Sequence, residues 1–485
     1  MPDLLTGFAL IAIVLTIAAL TSGVVERAPL SFPMIFLGLG ILLGERGLGL
    51  LTVDPHDPTL EVIAILSLAL VLFIDAVNLE LRGIGDGWVV PALALGPGTL
   101  LTISIIALAA SWLLDTTLVQ SVLLGAILSS TDPVVLRDVV RDERIPRSVR
   151  RALRIEAGTN DIVVLPILLI LIAIAQAEAG GAGEWLLFFV QLFVLGTLAG
   201  FAVGGIGAWL MEKVDARIPI RREYQALYGV GLVLLAFVAG DAVGGDGFLA
   251  AFAAGAAVTI LNRELCTCFL EYGEVTAEMA MLLSFILFGA VLSTLVPTVP
   301  LVPSLILAGI AILIARPVAF GLVLRKANVS PVARVFISWF GPRGLNSLLF
   351  ALLLVRDGVA GAERLLAIVG IVVGVSVVAH GASAAPLSAW YARRTRAGTL
   401  AEERESSAAG LFQGASDEEI RRITPDELAA LLGSPDPPVV VDVRSRSEYE
   451  QDEARIPGSV RVLPDEVAEW AAGQSRERLV VAYCT

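Results

Sequence analysis

Three acidic residues lie inside two consecutive apolar stretches between residues 118 and 177. Asp132 interrupts the first stretch, and Glu156 and Asp161 interrupt the second. A charged side chain at the centre of a membrane span costs roughly 2.5–3.5 kcal/mol on insertion scales, so intramembrane acids generally serve a function. Carboxylates and exposed backbone carbonyls can bind a small cation at such a depth. We therefore expect these two stretches to form a buried cation site.

The first stretch contains a proline that should interrupt its helix. Pro133 has no N–H group, so the carbonyl of Ser129 loses its helical donor, and the proline ring disfavours helical geometry at Asp132. We expect the backbone around Ser130, Thr131 and Asp132 to be unwound, with carbonyls that can bind a cation where they line a cavity. A simple proline kink, with Asp132 hydrogen-bonded to a neighbour, is the alternative.

The second stretch places its two acids on different faces of a helix. Glu156 and Asn160 are four residues apart and share a face, whereas Asp161 lies about 140° further round than Glu156. We expect Asp161 to bind the cation, with Asn160 as its neutral hydrogen-bonding neighbour. Glu156 should pair with a buried arginine, either Arg316 or Arg343. Snorkelling to the membrane interface is the alternative for both arginines, and we favour it for Arg343.

The elements that position these residues are membrane-spanning helices. The 485-residue chain is 56% hydrophobic with a mean hydropathy of +0.82, far more apolar than an ordinary soluble protein. Apolar runs of about 17–25 residues recur, and they predict a transmembrane domain over residues 1–392. We predict thirteen spans, with twelve as the alternative count because three are short and glycine-rich. Their expected limits are 5–25, 30–44, 60–78, 88–113, 118–140, 155–177, 185–211, 224–240, 245–262, 277–295, 301–324, 333–355 and 363–390.

Basic residues in the short loops predict the orientation of the spans. With thirteen spans, 17 Lys and Arg residues fall on one side and 3 on the other. Because short cytoplasmic loops are enriched in Lys and Arg, we expect the N-terminus outside and the C-terminus in the cytoplasm. We expect a multi-pass protein of the plasma membrane. The first apolar segment lacks a basic start, which argues against a cleavable signal peptide.

Composition and isolated reactive residues exclude several functional classes. The net charge of −13 is concentrated in residues 397–485, with 9 Lys and Arg against 18 Asp and Glu, and nothing suggests nucleic acid. His56 and His380 are isolated, and Cys266 and Cys268 lie beside a predicted loop. We therefore expect no cofactor and no metal site beyond a transported cation. No ATP-binding motif is visible, which argues against an ATP-driven pump.

Four separated motifs resemble those of the monovalent cation:proton antiporter-1 family, the sodium/proton exchangers. They are Thr131-Asp132-Pro133, Glu156-x-x-x-Asn160-Asp161, Arg316-Pro317 and Gly341-Pro342-Arg343-Gly344, in the family's order. The resemblance covers roughly residues 5–390. It implies an all-α fold of thirteen helices, built from two inverted repeats of six after an extra first helix. It also implies a scaffold and dimerisation bundle, a mobile core bundle and a homodimer.

The resemblance also implies roles for individual residues. The core would be stabilised by Glu156 paired with Arg316, and Arg343 would have a secondary role. The implied ion-site residues are Thr131, Asp132, Asn160 and Asp161. The family commonly has Ser after the motif's Glu, where this chain has Ala157, so one oxygen ligand is missing and the choice among Na⁺, Li⁺ and K⁺ stays open. Asp75 resembles the family's acid in the third span, and would reach the site through water.

Charge counting predicts the type of transport. If Asp161 exchanges one proton for one cation, the loaded site is neutral in either form, so we expect electroneutral exchange of H⁺ for Na⁺, with K⁺ as the alternative. Asn160 replaces the second acid of the electrogenic relatives, and Lys213 and Lys326 both lie in predicted loops. Rigid-body movement of the core would give alternating access. An ion channel is the rival class, and saturable proton-coupled flux would exclude it.

The C-terminal segment resembles a rhodanese domain. Residues 393–420 predict a cytoplasmic linker, and residues 421–485 contain the runs ITPDELAALL, VVVDVRSRSEYE, RIPGSVRV and LVVAYCT. The resemblance makes Cys484 the position of the sulfur-carrying nucleophile. The loop that would follow it is not in the sequence, and Ala454-Arg455 replaces the family's Gly-His. We expect an incomplete domain, as a regulatory appendage or a truncated end, without sulfurtransferase activity; a membrane-anchored sulfur-relay protein is the alternative.

Overall fold

The computed structural model describes residues 31–78, 89–142, 144–176, 189–261, 263–327, 329–397, 423–451, 454–475 and 478–483, with isolated residues before 31 and at 187. Most of the first predicted span, most of the predicted linker and Cys484 lie outside these residues. The membrane domain and the C-terminal segment are both represented.

Helices form nearly all of the described part of residues 31–397. Eight helices there are long and apolar enough to cross a membrane, and four shorter helices are also apolar. Together they match the predicted spans after the first. The long helices are α2 (Pro58–Val77), α3 (Val89–Leu113), α6 (Arg147–Gln176), α7 (Val190–Asp215), α8 (Arg222–Ala242), α10 (Arg263–Leu295), α11 (Leu301–Lys326) and α14 (Ala362–Ala397). The shorter apolar helices are α1 (Phe32–Leu43), α4 (Leu118–Ser129), α9 (Gly247–Leu261) and α13 (Leu345–Arg356), and two further short helices are α5 (Arg137–Arg141) and α12 (Pro331–Trp339).

Several of these helices begin at side chains that cap them. Asp57 accepts a hydrogen bond from the backbone N–H of Thr59 at 2.8 Å, at the start of α2. Thr117 and Gln120 form a reciprocal capping box at the start of α4. Ser330 caps α12 directly before a proline at its first position. These bonds satisfy N–H groups that the first turn of a helix leaves without partners.

The membrane helices pack as two bundles. The support bundle contains α1, α2 and α7–α10, and the site bundle contains α3–α6 and α11–α14. Within each bundle the helices pack mainly on one another. Across the boundary, α2 contacts α6 and α13, α10 contacts α13 and α14, and α1 contacts α14. Asp132, Glu156, Asp161 and both candidate arginines belong to the site bundle, whereas Asp75 lies in α2 of the support bundle.

Glycines allow helices of the support bundle to approach closely. A Cβ atom at Gly40 of α1 would collide with the carbonyl oxygen of Ile286 in α10, and one at Gly289 would collide with that of Leu37. Small residues at helix contacts are a common basis for association in membranes, because they bring the two backbones into van der Waals contact.

Two spans are interrupted inside the membrane domain. Between α4 and α5 the chain leaves helical geometry over residues 130–136, as the proline in this run predicts. Between α12 and α13 it does so over residues 340–344. The sequence prediction of one continuous span over 333–355 is therefore wrong, because Pro342 cannot donate a helical hydrogen bond and its neighbours contact other elements instead.

The described tail is a small α/β unit, as its sequence pattern predicts. Its elements are α15 (Pro425–Leu432), β1 (Val439–Asp442), α16 (Arg446–Gln451), β2 (Val460–Arg461), α17 (Val467–Ala472) and β3 (Val480–Tyr483). The strands lie in the order β2-β1-β3 and pair in parallel. Val441, Val443 and Val462 form its core. Burial raises the pKa of Asp442, but hydrogen bonds from Arg444 outweigh this and leave that pKa below its ordinary value.

Among the described residues, two ion pairs join the tail to the site bundle. Arg150 of α6 lies 3.3 Å from Glu466, measured from Nη2 to Oε1. Arg396 of α14 lies 3.5 Å from Glu450, measured from Nε to Oε1. Both contacts are made at the end of the site bundle that carries the basic loops.

The close approach of α1 and α10 yields a test on one helix. We expect Gly40→Ala to destabilise the purified protein by about 1–3 kcal/mol, because the new methyl group has no space. Gly38→Ala is the matched control, since a Cβ atom there meets nothing within 4 Å. Thermal unfolding in detergent measures both variants, and equal melting temperatures would contradict this packing.

Candidate functional site

Asp132 holds the two helix breaks together. Its backbone N–H donates to the carbonyl oxygen of Pro342 at 2.8 Å. One carboxylate oxygen accepts from the N–H of Val134 at 2.9 Å, and the other accepts from the N–H of Leu345 at 2.8 Å. The backbone is thus unwound and Asp132 is also hydrogen-bonded to neighbours. Its charge lies at the N-terminus of α13, where a helix favours an anion.

Two glycines make room for this arrangement. A Cβ atom at Gly344 would collide with the carboxylate of Asp132, and one at Gly341 would collide with the guanidinium of Arg316. The Gly-Pro-Arg-Gly run is therefore fixed by the close approach of two charged side chains to its backbone.

Asp161 is brought between the two breaks. It accepts a hydrogen bond from the hydroxyl of Ser130 at 2.6 Å, and a second from the side-chain amide of Asn346. Ser130 belongs to the first break and Asn346 to the first turn of α13. All three are buried, and Asp161 is 1% exposed. A carboxylate held by neutral side-chain donors keeps its charge available to a small cation.

Asn160 faces a different neighbour from the one that the sequence predicts. Its amide nitrogen donates to the hydroxyl of Thr99 at 3.3 Å. The amide that bonds Asp161 is Asn346, because successive residues of a helix point about 100° apart. The side-chain oxygen of Asn160 is buried and has no hydrogen-bond partner among the described residues. Such an oxygen is a suitable ligand for an ion or a water molecule.

Glu156 pairs with Arg316, one of the two arginines that the sequence offers. Both distances of the bidentate contact, Nη1 to Oε1 and Nη2 to Oε2, are 2.9 Å. Thr131 donates to the same carboxylate at 3.3 Å, and Arg316 also donates to the carbonyl of Phe340 at 2.8 Å. The ion pair therefore touches both helix breaks. A buried, bidentate pair with further hydrogen bonds is geometrically specific.

Arg343 does not snorkel to the interface, so that expectation is wrong. Its side chain is 1% exposed. It donates to the carbonyls of Leu128 and Ala311, each at 2.9 Å, and to that of Gly341 at 2.6 Å. The carbonyl of Leu128 needs this donor because the N–H four residues later, that of Asp132, bonds across to the other break. Backbone breaks thus create the partners that keep Arg343 inside.

A cavity of about 360 Å³ reaches towards these residues from the side with the basic loops. Its lining extends from Arg154 to Asp75 and Thr159. Asp75 is 9% exposed, and one of its carboxylate oxygens has no hydrogen-bond partner among the described residues. A Cβ atom at Gly158 would lie 3.6 Å from the other oxygen. Asp75 therefore reaches from the support bundle to within one helical turn of Asp161 along α6.

Sequence reasoning placed Ser130 in the unwound backbone but missed the role of its side chain, and it missed Asn346 and Thr99 entirely. Ser130 stands beside the Thr-Asp-Pro motif, and Asn346 is a polar residue in the first turn of an apolar helix, so both carried a readable signal. Thr99 carried none, because its contact with α6 depends on how two distant helices pack.

The charges of the site favour a cation. Four carboxylates are buried here, those of Asp75, Asp132, Glu156 and Asp161. They accompany two buried guanidinium groups, of which one pairs with Glu156 and the other binds backbone carbonyls. Two negative charges remain, and protons or monovalent cations held by oxygen ligands can balance them.

Comparison with known proteins gives matches for both parts of the chain. The family model "Sodium/hydrogen exchanger, transmembrane" matches residues 11–390, and the model of the rhodanese-like domain matches residues 424–485. The K(+)/H(+) antiporter NhaP of Alkalimonas amylolytica is 27% identical over 359 residues, which are 74% of this chain and 62% of that protein. The K(+)/H(+) antiporter NhaP2 of Shewanella sp. (strain MR-4) is 29% identical over 391 residues, 79% of this chain and 66% of that protein.

The fold also matches a solved structure. The sodium proton antiporter MjNhaP1 from Methanocaldococcus jannaschii aligns with a TM-score of 0.67 at 18% identity, covering 81% of this chain and 100% of that one. This likeness shows the fold. The curated relatives are longer than this chain, which spans 62% to 66% of their length. With a family match that extends over most of its residues, the chain belongs to the sodium/hydrogen exchanger family.

Proposed function

We propose that the protein is a secondary antiporter that exchanges one monovalent cation for one proton, and that this cation is Na⁺. Asp161 is the carboxylate for which the two ions compete. The observation that carries this proposal is the buried Asp161 between two crossed helix breaks, held by Ser130 and Asn346. Broken helices that point their termini at a midmembrane site are characteristic of secondary transporters.

Asp161 is better suited than Asp132 to carry the exchanged ion. Both carboxylate oxygens of Asp132 accept backbone N–H groups, and these bonds hold two helix breaks in place. The donors to Asp161 are side chains, which can rotate when a cation arrives. We therefore assign Asp132 and Thr131 to the shape of the site, and Asn160 and Asp75 to oxygen ligands reached directly or through water.

The charge count supports electroneutral exchange. One proton or one Na⁺ neutralises Asp161 equally, and its neighbour Asn160 is uncharged. Lys213 lies near the end of α7 and Lys326 at the end of α11, both exposed, so neither supplies a buried ammonium group. One positive charge then crosses the membrane in each direction, and the membrane potential does no net work on the cycle.

The rest of the proposal concerns setting and movement. We place the protein in the plasma membrane with its N-terminus outside and its C-terminus in the cytoplasm, on the strength of the basic loops. The site bundle moves past the support bundle to alternate access, and the protein is a homodimer. The tail is a cytoplasmic appendage, and we propose no sulfurtransferase activity for it.

Flux measurements on proteoliposomes test the assignment of Asp161. We expect Na⁺ to dissipate an imposed ΔpH with saturable kinetics, equally fast with the membrane potential clamped or free. Asp161→Asn should reduce this flux to the level of empty vesicles, because the amide can neither release a proton nor balance the cation. Asp142→Asn, in the loop after α5, should retain it.

Parallel assays with Li⁺ and K⁺ identify the cation. Flux with K⁺ alone would replace Na⁺ by K⁺ in the proposal and keep the site. Flux that survives Asp161→Asn, or that follows the membrane potential, would contradict the site or the stoichiometry.

The Glu156–Arg316 pair should stabilise the folded site bundle. We expect Arg316→Met to destabilise the protein by about 3–5 kcal/mol, because it leaves a buried carboxylate without its partner. The double variant Arg316→Met with Glu156→Leu should recover part of this loss, since the unpaired charge is gone. Arg325→Met, at the exposed end of the same helix, is the control. Thermal unfolding in detergent gives the comparison, and additive losses in the double variant would argue against the pair.

A further inference from the structure

An ion pair connects the two bundles at the wall of the cavity. Arg137 begins α5 in the site bundle, and Glu278 lies in α10 of the support bundle. The Nη1 atom of Arg137 is 3.1 Å from both carboxylate oxygens of Glu278. Both side chains line the cavity and are partly buried, with exposures of 34% and 26%. The pair therefore links α10 of the support bundle to α5, the helix that follows the break at Asp132.

The opposite end of the boundary is closed. There, Arg356 at the end of α13 lies 3.4 Å from Glu61 in the first turn of α2, measured from Nε to Oε1. The space between these two helices is only about 20 Å³, compared with about 360 Å³ at the other end. The conformation described is therefore open on the side of Arg137 and Glu278.

We propose that Arg137 and Glu278 are positioning residues that hold the site bundle in the state open to the basic-loop side. The pair separates each time the site bundle moves past the support bundle. This inference rests on the alternating movement proposed above. Neither residue contacts Asp161, so the pair acts on the balance between two states.

The geometry explains why this contact has to break. Its two groups belong to different rigid bodies, and a hydrogen-bonded ion pair cannot persist once its atoms move several ångströms apart. A pair that is about one-third exposed is screened by solvent and contributes only modestly to the balance. Such a contact favours the open state without preventing the protein from leaving it, as a reversible cycle requires.

Thiol labelling measures the balance without any ion flux. Val71 of α2 is a suitable reporter because it lines the cavity and is partly exposed. Val71→Cys is introduced after the native cysteines are replaced by serine, and a membrane-impermeant maleimide is added from the basic-loop side of native vesicles. We expect Glu278→Gln to slow labelling about two- to five-fold, because less of the protein is open on that side.

Further variants distinguish the loss of the ion pair from the loss of either charge alone. Arg137→Gln should slow labelling to the same extent, and the exchanged pair Arg137→Glu with Glu278→Arg should restore it. Asp142→Asn is the matched control, since it removes an ion pair with Arg144 that lies within one loop of the site bundle. That variant should label at the parental rate.

Each outcome decides a different point. Unchanged labelling in Glu278→Gln, or failure of the exchanged pair to restore the rate, would overturn the role of this ion pair. Labelling that responds as expected in a protein without cation-dependent proton flux would overturn the antiporter proposal instead. Normal flux with unchanged labelling would leave the antiporter proposal standing and remove this one.

Discussion

Interrupting a helix inside a membrane leaves backbone groups that water cannot satisfy, and the rest of this site follows from that constraint. Each break supplies a hydrogen-bond donor to a backbone carbonyl of the other interrupted span. The N–H of Asp132 leaves its own helix and bonds the carbonyl of Pro342, while Arg343 from the second break bonds the carbonyl of Leu128 that has lost this donor. Buried charges are therefore part of the backbone structure here, which explains why so many are tolerated.

The buried ionic groups have different roles in the site. Asp132 and Arg343 stabilise the backbone, and Glu156 with Arg316 fixes α6 against α11 and the second break. Asp161 is left with partners that are side chains. This division follows from burial, because a charge committed to several fixed donors has little freedom to exchange ligands. A rigid surround can then hold one exchangeable carboxylate in a constant position.

Much of this arrangement is readable in the sequence, and what is not has a physical reason. Pro133 predicts the first break, and the apolar surroundings of Glu156 and Arg316 require a partner for each. The second break carries the same signal in Pro342, but the sequence does not show that Arg316 and Asp132 closely approach the backbone of Gly341 and Gly344. The burial of Arg343 could not be predicted, because its acceptors are the carbonyls of Leu128, Gly341 and Ala311, which only the packed fold brings together.

The ion pairs of the tail have a consequence for how the molecule can be controlled from outside the membrane. Both pairs, through Arg150 and Arg396, attach the tail to the site bundle. In the movement proposed above, the tail would move together with the site bundle. Binding of the tail by another molecule would therefore restrict the proposed movement without touching any ion ligand.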